Sequence, residues 1–177
     1  GNAGLTWDDK QKAILLIGEA GAGKTTQMEK LYWDELCAEG EKRLPIWIKI
    51  QDLKEKDLLE EIEDRLGDYS NSCDDLMEQG YITLYLDGLN ELLVADRGKS
   101  GQNLVLTIKN LINNYSNLRI CMTDRTSQRL NQLVKEKKVT VYKCESMDED
   151  HIWDYCIRKW DDERAEMIID AVSPDDE

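Results

Sequence analysis

Histidine is nearly absent from this sequence, His151 being the only one. The five cysteines, Cys37, Cys73, Cys121, Cys144 and Cys156, are odd in number, and no two stand in C-x-x-C spacing. A zinc site therefore has little to draw on. The thiols read instead as free, reduced and mostly buried, in a cytoplasmic protein. Cys121 and Cys144 each fall in a β-like run, which fits burial. No apolar run approaches the roughly 18–20 residues of a membrane span, and mean hydropathy is −0.61. No signal-peptide pattern, internal repeat or low-complexity linker appears. Basic residues are also short. Lys+Arg number 23 against 37 Asp+Glu, a net charge of −14. The acidity argues against a nucleic-acid-binding surface as the whole-chain role, because phosphate backbones need an excess of Lys and Arg. An initiating methionine is lacking too. Gly1-Asn2-Ala3 resembles the scar of a removed tag, so a domain excised from a longer protein is expected.

What is present suits one domain with a real core: 177 residues, 41% of them hydrophobic, with five Trp and seven Tyr. The acidity is confined to two stretches. Residues 52–78 are net −8 and residues 148–177 net −9, which leaves the remainder at +3. Both stretches read as solvated helix faces. Contact with a basic neighbouring domain is the other use they suggest.

Ala13 to Ile17 is a continuous apolar run, a strand buried on both faces. A Gly-rich turn follows, then a helix over Thr25 to Cys37 striped by Met28, Leu31, Tyr32 and Leu36. Pro45 to Ile50 is a second strand, with proline in first position where no N–H is needed. Leu58, Leu59, Ile62 and Leu66 mark an acidic helix, and Ser72 is a candidate cap for a short helix through Gln79. Tyr81–Leu86, Leu118–Thr123 and Lys138–Lys143 are further strands. Between them lie a helix striped from Leu104 to Tyr115 and another marked by Leu130, Leu133 and Val134. Ser146-x-x-Glu149 is a capping box for a helix bearing Trp153, Cys156, Ile157 and Trp160, followed by a last helix from Ala165 to Val172. Alternating strands and helices imply a parallel sheet with helices on both faces. The alternation stops near residue 147, so the expected division is 1–147 as core and 148–177 as an acidic helical pair, either the core's lid or the start of a following helical domain.

Gly18-Glu19-Ala20-Gly21-Ala22-Gly23-Lys24-Thr25 fits G-x-x-x-x-G-K-[ST], placed between a buried strand and an amphipathic helix. Glycines let backbone N–H groups turn toward phosphate oxygens, and the helix N-terminus adds its positive dipole there. Lys24 supplies a full charge to the β and γ phosphates, and the Thr25 hydroxyl can ligate Mg²⁺. The cation needs a second anchor. Tyr81 to Asp87 is a hydrophobic strand ending in a carboxylate, as that role demands. Glu91, four residues on, can orient or deprotonate an attacking water. Without the phosphate loop, Asp87 and Glu91 would be an ordinary strand end and a solvated turn.

At these residues the chain resembles the NACHT family of STAND-type P-loop NTPases. Four blocks carry the resemblance in order: Gly18–Thr26, Leu44–Lys49 with Leu53, Leu86-Asp87-Gly88-Leu89-Asn90-Glu91-Leu92, and Thr123-Asp124-Arg125. The small Gly88 directly after the metal-type aspartate is the most discriminating feature. The resemblance implies a three-layer α/β P-loop NTPase fold with a five-stranded parallel sheet in the order 5-1-4-3-2. It implies ATP/ADP and Mg²⁺ as ligands, with Gly18, Gly21, Ala22, Gly23, Lys24, Thr25, Thr26 and Arg125 on the nucleotide. Thr25 and Asp87 take the metal, and Glu91, Lys24 and Arg125 act in catalysis. Arg125 would be the sensor that tells triphosphate from diphosphate; the plainer alternative is a surface arginine paired with Asp124. Asn90 stands where many members carry a second acid, and Thr126 where proline usually follows the arginine. His151 does not correspond to the family's ADP-holding histidine, which belongs to a later domain.

The implied function is an ATP-gated, oligomerisation-controlling switch in signalling, innate immunity or defence, with slow hydrolysis. Its partners would be nucleotide, further domains and copies of itself. The competing expectation is a stand-alone ATPase or small-molecule kinase, for which Arg97-Gly98-Lys99 is the only lid-like basic cluster. A degenerate scaffold is disfavoured by intact Lys24, Thr25, Asp87 and Glu91.

Overall fold

The computed structural model describes residues 5–8, 11–40, 43–53, 56–91 and 99–145, with no side-chain description for 99–102. The expected capping box at Ser146, His151, the Trp153/Trp160 stripe, Cys156 and the acidic segment 148–177 lie outside these residues, as do Arg97 and Gly98. In chain order the described elements are β1 (Ala13–Ile17), α1 (Lys24–Leu36), β2 (Leu44–Lys49), α2 (Ile50–Leu53), α3 (Leu58–Leu66) and α4 (Cys73–Glu78). There follow β3 (Ile82–Asp87), α5 (Lys99–Asn114), β4 (Arg119–Asp124), α6 (Asn131–Lys135) and β5 (Thr140–Lys143). The five strands form one sheet in the order β2-β3-β4-β1-β5. Every pairing is parallel. Read from the other edge this is the expected order 5-1-4-3-2, and the fold is the α/β P-loop NTPase arrangement.

Strand alternation sorts the interior into two layers. Ala13, Leu15, Ile82, Leu84, Leu86, Ile120 and Met122 pack with Ile62, Leu66, Ile108 and Leu111 of α3 and α5 in the larger core. Ile14, Leu16, Tyr85 and Cys121 point to the opposite face and pack with Met28 and Leu31 of α1. β1 is buried on both faces, as its unbroken apolar run requires.

Several boundaries differ from those expected. β2 begins one residue earlier, because the Leu44 N–H donates to the Tyr81 carbonyl at 2.7 Å; proline is therefore its second residue. Ile50 leaves the strand for α2, since β2's last pair is Lys49 with Asp87. Ser72 occupies the position before α4 but makes no capping hydrogen bond. A 3₁₀ segment, Gly67–Ser72, already runs into that helix, so Ser72 (φ −106°, ψ 12°) lacks the extended backbone that a capping residue takes. Asp57 caps α3 instead, accepting from the Leu59 N–H at 2.8 Å. The acidic face of α3 turns outward. There Glu61 pairs with Lys56 at 2.8 Å and Arg65 at 2.7 Å, and Lys56 also pairs with Asp64. Of the cysteines, Cys73 and Cys121 are buried, Cys144 lies half-buried just past β5, and Cys37 is exposed. No helix among the described residues is long and apolar enough to cross a membrane.

Candidate functional site

Parallel pairing brings the C-terminal ends of β1, β3 and β4 together, with Ile17 opposite Asp124 and Leu86 opposite Met122. The loop from Gly18 to Gly23 leaves β1 at that edge and opens α1. Gly18 is dictated by a close approach, since a Cβ there would lie 2.4 Å from the Cys144 carbonyl oxygen. Ala22 is buried, and its N–H donates to the Glu19 carbonyl at 3.2 Å, closing the turn around exposed Gly21. Gly23 starts the helix in the left-handed conformation (φ 76°), with no side chain capping α1 and no acidic residue in its first turn. The positive end of α1 thus keeps its unpaired N–H groups and faces no negative side chain of its own, which is an anion-receptive arrangement.

Lys24 folds back over this loop, and its Nζ donates to the Gly18 and Glu19 carbonyl oxygens at 2.7 Å each. An ammonium has three donors, so these bonds hold its charge at the loop with one hydrogen to spare. Thr25 and Thr26 are exposed in the first turn of α1. The Thr25 hydroxyl donates across 62 residues of sequence to both oxygens of Asp87, at 3.2 and 3.3 Å. A hydroxyl that gives its proton to a carboxylate presents its lone pairs outward. Thr25 and Asp87 together therefore form an oxygen-only donor pair of the kind Mg²⁺ takes, and the residues present fit that ion.

Asp87 is the last residue of β3, on the α1 face, with a partly exposed side chain. Its Oδ1 accepts from the Thr123 hydroxyl of β4 at 2.7 Å. The chain turns sharply at Gly88 (φ 88°). A Cβ on Gly88 would meet the Glu91 carboxyl atoms at 3.0–3.2 Å. Glu91 thus folds back over the residue after Asp87, at the end of a 3₁₀ turn closed by its N–H on the Gly88 carbonyl at 2.9 Å. This gives the discriminating glycine a physical reason: both a positive φ and the space for Glu91 require it.

At the end of β4, Asp124 is 1% exposed. Its carboxylate accepts from Arg129 Nη1 at 2.6 and 2.5 Å and from the Arg125 backbone N–H at 2.6 Å. The partner of Asp124 is Arg129, then, and the Arg125 side chain is left exposed one residue past the Ile17–Asp124 pair. This ion pair, buried on its Asp124 side, fixes the turn from which Arg125 projects.

Sequence reasoning missed a second polar group on the same face. Glu35, in the last turn of α1, accepts from the Thr83 hydroxyl at 2.7 Å and the Tyr85 hydroxyl at 2.8 Å. Arg119 Nη1 lies 3.8 Å from it. Tyr85 also accepts from the Trp7 indole at 3.1 Å, and Arg119 stacks 5.3 Å over the Trp7 ring. Burial raises the Tyr85 phenol far above its ordinary pKa, partly offset by the Trp7 hydrogen bond, so it stays a donor. The available signal was the alternation Thr83, Tyr85, Asp87, which marks one polar face on an otherwise apolar strand.

A model of the NACHT domain matches residues 12–163. No curated protein matches the sequence. Among solved structures, the chain is similar to a Walker-type ATPase of Pyrococcus abyssi, with TM-score 0.59, 15% identity, 93% of this chain covered and 58% of that one. It is also similar to the Aeropyrum pernix ORC2 protein, solved as ADPNP–ADP complexes (TM-score 0.53, 13% identity, 84% and 45% covered). A structure reported for katanin self-assembly gives TM-score 0.52 and 14% identity, with 87% and 47% covered. The chain spans about half the length of these structures, and at such identities they show the shared fold.

Proposed function

This chain belongs to the NACHT family of P-loop NTPases, and on that premise we propose that it binds ATP with Mg²⁺ and works as a nucleotide-gated switch controlling self-association. The setting we propose is a signalling or defence protein of the STAND class, in the cytoplasm, with slow hydrolysis. The observation that carries the reading is the meeting of Asp87 with Thr25, next in sequence to a lysine held over the loop at an uncapped helix N-terminus.

In this reading the backbone of Gly18, Gly21, Ala22, Gly23 and Thr26 lines the phosphates. Lys24 exchanges its carbonyl partners for phosphate oxygens. Thr25 and Asp87 hold the cation, whose charge offsets that of the phosphates. Glu91 accepts a proton from, or orients, the attacking water. Arg125 reaches the terminal phosphate and reports its presence. Residues 1–147 serve as the nucleotide-binding core. Support for a division there comes from the sheet being complete by Lys143. Residues 148–177 then act as a lid or lead into further domains.

Titration of a fluorescent ATP analogue with Mg²⁺ tests the site. Binding should be lost in Lys24→Ala, and equal binding by that variant and the unaltered protein would refute it. Single-turnover hydrolysis should fall in Glu91→Gln while binding persists. Turnover well above about 1 per second with a specific acceptor would favour a productive kinase or ATPase instead.

A further inference from the structure

We propose that Thr123 is the positioning residue of this cation site: its buried hydroxyl sets the orientation of the Asp87 carboxylate and thereby the affinity for Mg²⁺. The inference rests on the reading of Asp87 as a cation ligand. Thr123 is 1% exposed, near the end of β4. Asp87 and Thr123 each follow the paired residues Leu86 and Met122, so the parallel register and the shared side-chain face place them side by side. Two hydrogen bonds of 2.7 Å converge on the Thr123 oxygen. The buried Gly88 N–H donates into a lone pair, and the hydroxyl donates to Asp87 Oδ1. A hydroxyl has a single proton. With Gly88 filling its acceptor side, that proton is committed to the carboxylate.

Thr25 is the looser handle on Asp87, spread over both oxygens at 3.2 and 3.3 Å. Rotation of the carboxylate is therefore governed from β4. A β-branched side chain on a strand has a restricted χ1, which holds the hydroxyl in place. Through the Gly88 N–H, Thr123 also fixes the turn whose carbonyl receives the Glu91 N–H. It secures the backbone of both acidic residues while standing behind them.

The test is the Mg²⁺ concentration giving half-maximal binding of a fluorescent ATP analogue, together with binding of the analogue in EDTA. Thr123→Val keeps the shape and removes the hydroxyl. It should raise the Mg²⁺ midpoint about tenfold, as loss of an outer-shell partner does, and leave binding in EDTA unchanged. Thr123→Ser should restore most of the loss. Thr123→Cys, a weaker donor of similar size, should fall between serine and valine. The serine and cysteine variants carry the test should the valine variant not fold, and equal midpoints in serine, cysteine and the unaltered protein would overturn the proposal. So would a parallel loss of binding in EDTA, which marks a merely structural role. Asp87→Asn separates the two layers. If it leaves the midpoint unmoved, the cation reading itself fails. If it shifts the midpoint while the Thr123 series does not, only the positioning role fails.

Discussion

Replacing Tyr85 by Phe should destabilise the domain by about 2 kcal/mol while leaving nucleotide affinity alone. The ring is fully buried, stacked on Trp47 at 6.1 Å and edge-on to Tyr32 at 5.5 Å, contacts that phenylalanine reproduces. What disappears is one hydroxyl with two partners: the Glu35 carboxylate it donates to at 2.8 Å and the Trp7 indole it accepts from at 3.1 Å. A hydrogen bond to a charged group is worth about 1.5–3 kcal/mol, and the indole N–H loses its acceptor as well. Glu35 keeps Thr83 at 2.7 Å and Arg119 at 3.8 Å, which holds the loss below the cost of a fully orphaned carboxylate. For a domain of this size the shift in Tm is about 4–8 °C. Urea unfolding followed by tryptophan fluorescence measures it. Glu35 lies eleven residues along α1 from Lys24, or about 16 Å at the helical rise, so ATP-analogue binding should stay unchanged. A stability loss below about 0.5 kcal/mol would refute the reasoning, because it falls within the range of an unremarkable surface change. Thr83→Val supplies an internal check. Both hydroxyls serve one carboxylate, so the double variant should depart from additivity by about 0.5 kcal/mol or more.

Other outcomes follow from the same contacts. Gly88→Ala puts a methyl group 3.0–3.2 Å from the Glu91 carboxyl atoms at a backbone with φ 88°. Hydrolysis should fall more than ATP-analogue binding, and single-turnover assays separate the two. Tyr115 donates to Asp74 at 2.7 Å, and that bond holds its phenol up at about 12. A pKa raised above the unfolded value gives stability that is whole below about pH 10 and lost as the pH rises toward 12. Urea midpoints from pH 9 to 11.5 should therefore decline less steeply in Tyr115→Phe. Cys73 is buried and pushed up to about 11, by desolvation first and then by Glu63 and Asp74. In native protein, iodoacetamide should label exposed Cys37 well before Cys73, as peptide mass mapping would show.

The sheet and the phosphate loop were legible because their signals are local. An unbroken apolar run cannot be a surface strand, and a Gly-rich turn ending in Lys-Thr has few other uses. Asp87 was legible as the carboxylate that ends such a run. Strand order came through the family resemblance rather than from any pattern in the residues. Strand boundaries slipped by one residue, or two at the start of β5, because the hydrogen-bond ladder ends a strand, not hydrophobicity: Ile50 is as apolar as Ile48, yet no β3 residue pairs with it. Leu36 and Leu59 fit helical stripes but lie 42% and 38% exposed, at the margins of those stripes. Glu35 had no signal on its own helix, only the polar face of β3 opposite it. On a helix with many acids it reads as a solvated charge, and its partners lie 48 and 50 residues away on β3. Asp124 looked like a partner for the adjacent Arg125, yet Arg129 on the following turn reaches back to it.

The polar side chains of β3 and β4 on the α1 face divide by end. Thr83 and Arg119 meet Glu35 in the last turn of α1, and Asp87, held from behind by Thr123, meets Thr25 at the first, with Tyr85 and Cys121 between them. β3 thus bonds the helix at both ends, joined by β4 directly at Glu35 and through Asp87 at Thr25. The apolar contacts of Met28 and Leu31 in the middle resist separation but are indifferent to sliding, since hydrophobic burial is non-directional. Hydrogen bonds at 2.7–2.8 Å are not indifferent, and those on Glu35 fix the helix along its axis. The helix start carries Lys24 and Thr25, so its axial position sets how far Thr25 stands from Asp87. The far cluster therefore works as an anchor and the near one as a site. That is why changes at Tyr85 should appear in unfolding and changes at Thr123 in the Mg²⁺ midpoint. A loss of Mg²⁺ affinity in Tyr85→Phe as large as that in Thr123→Val would mean that α1 slides when its anchor is cut, and the separation of the two ends would be wrong.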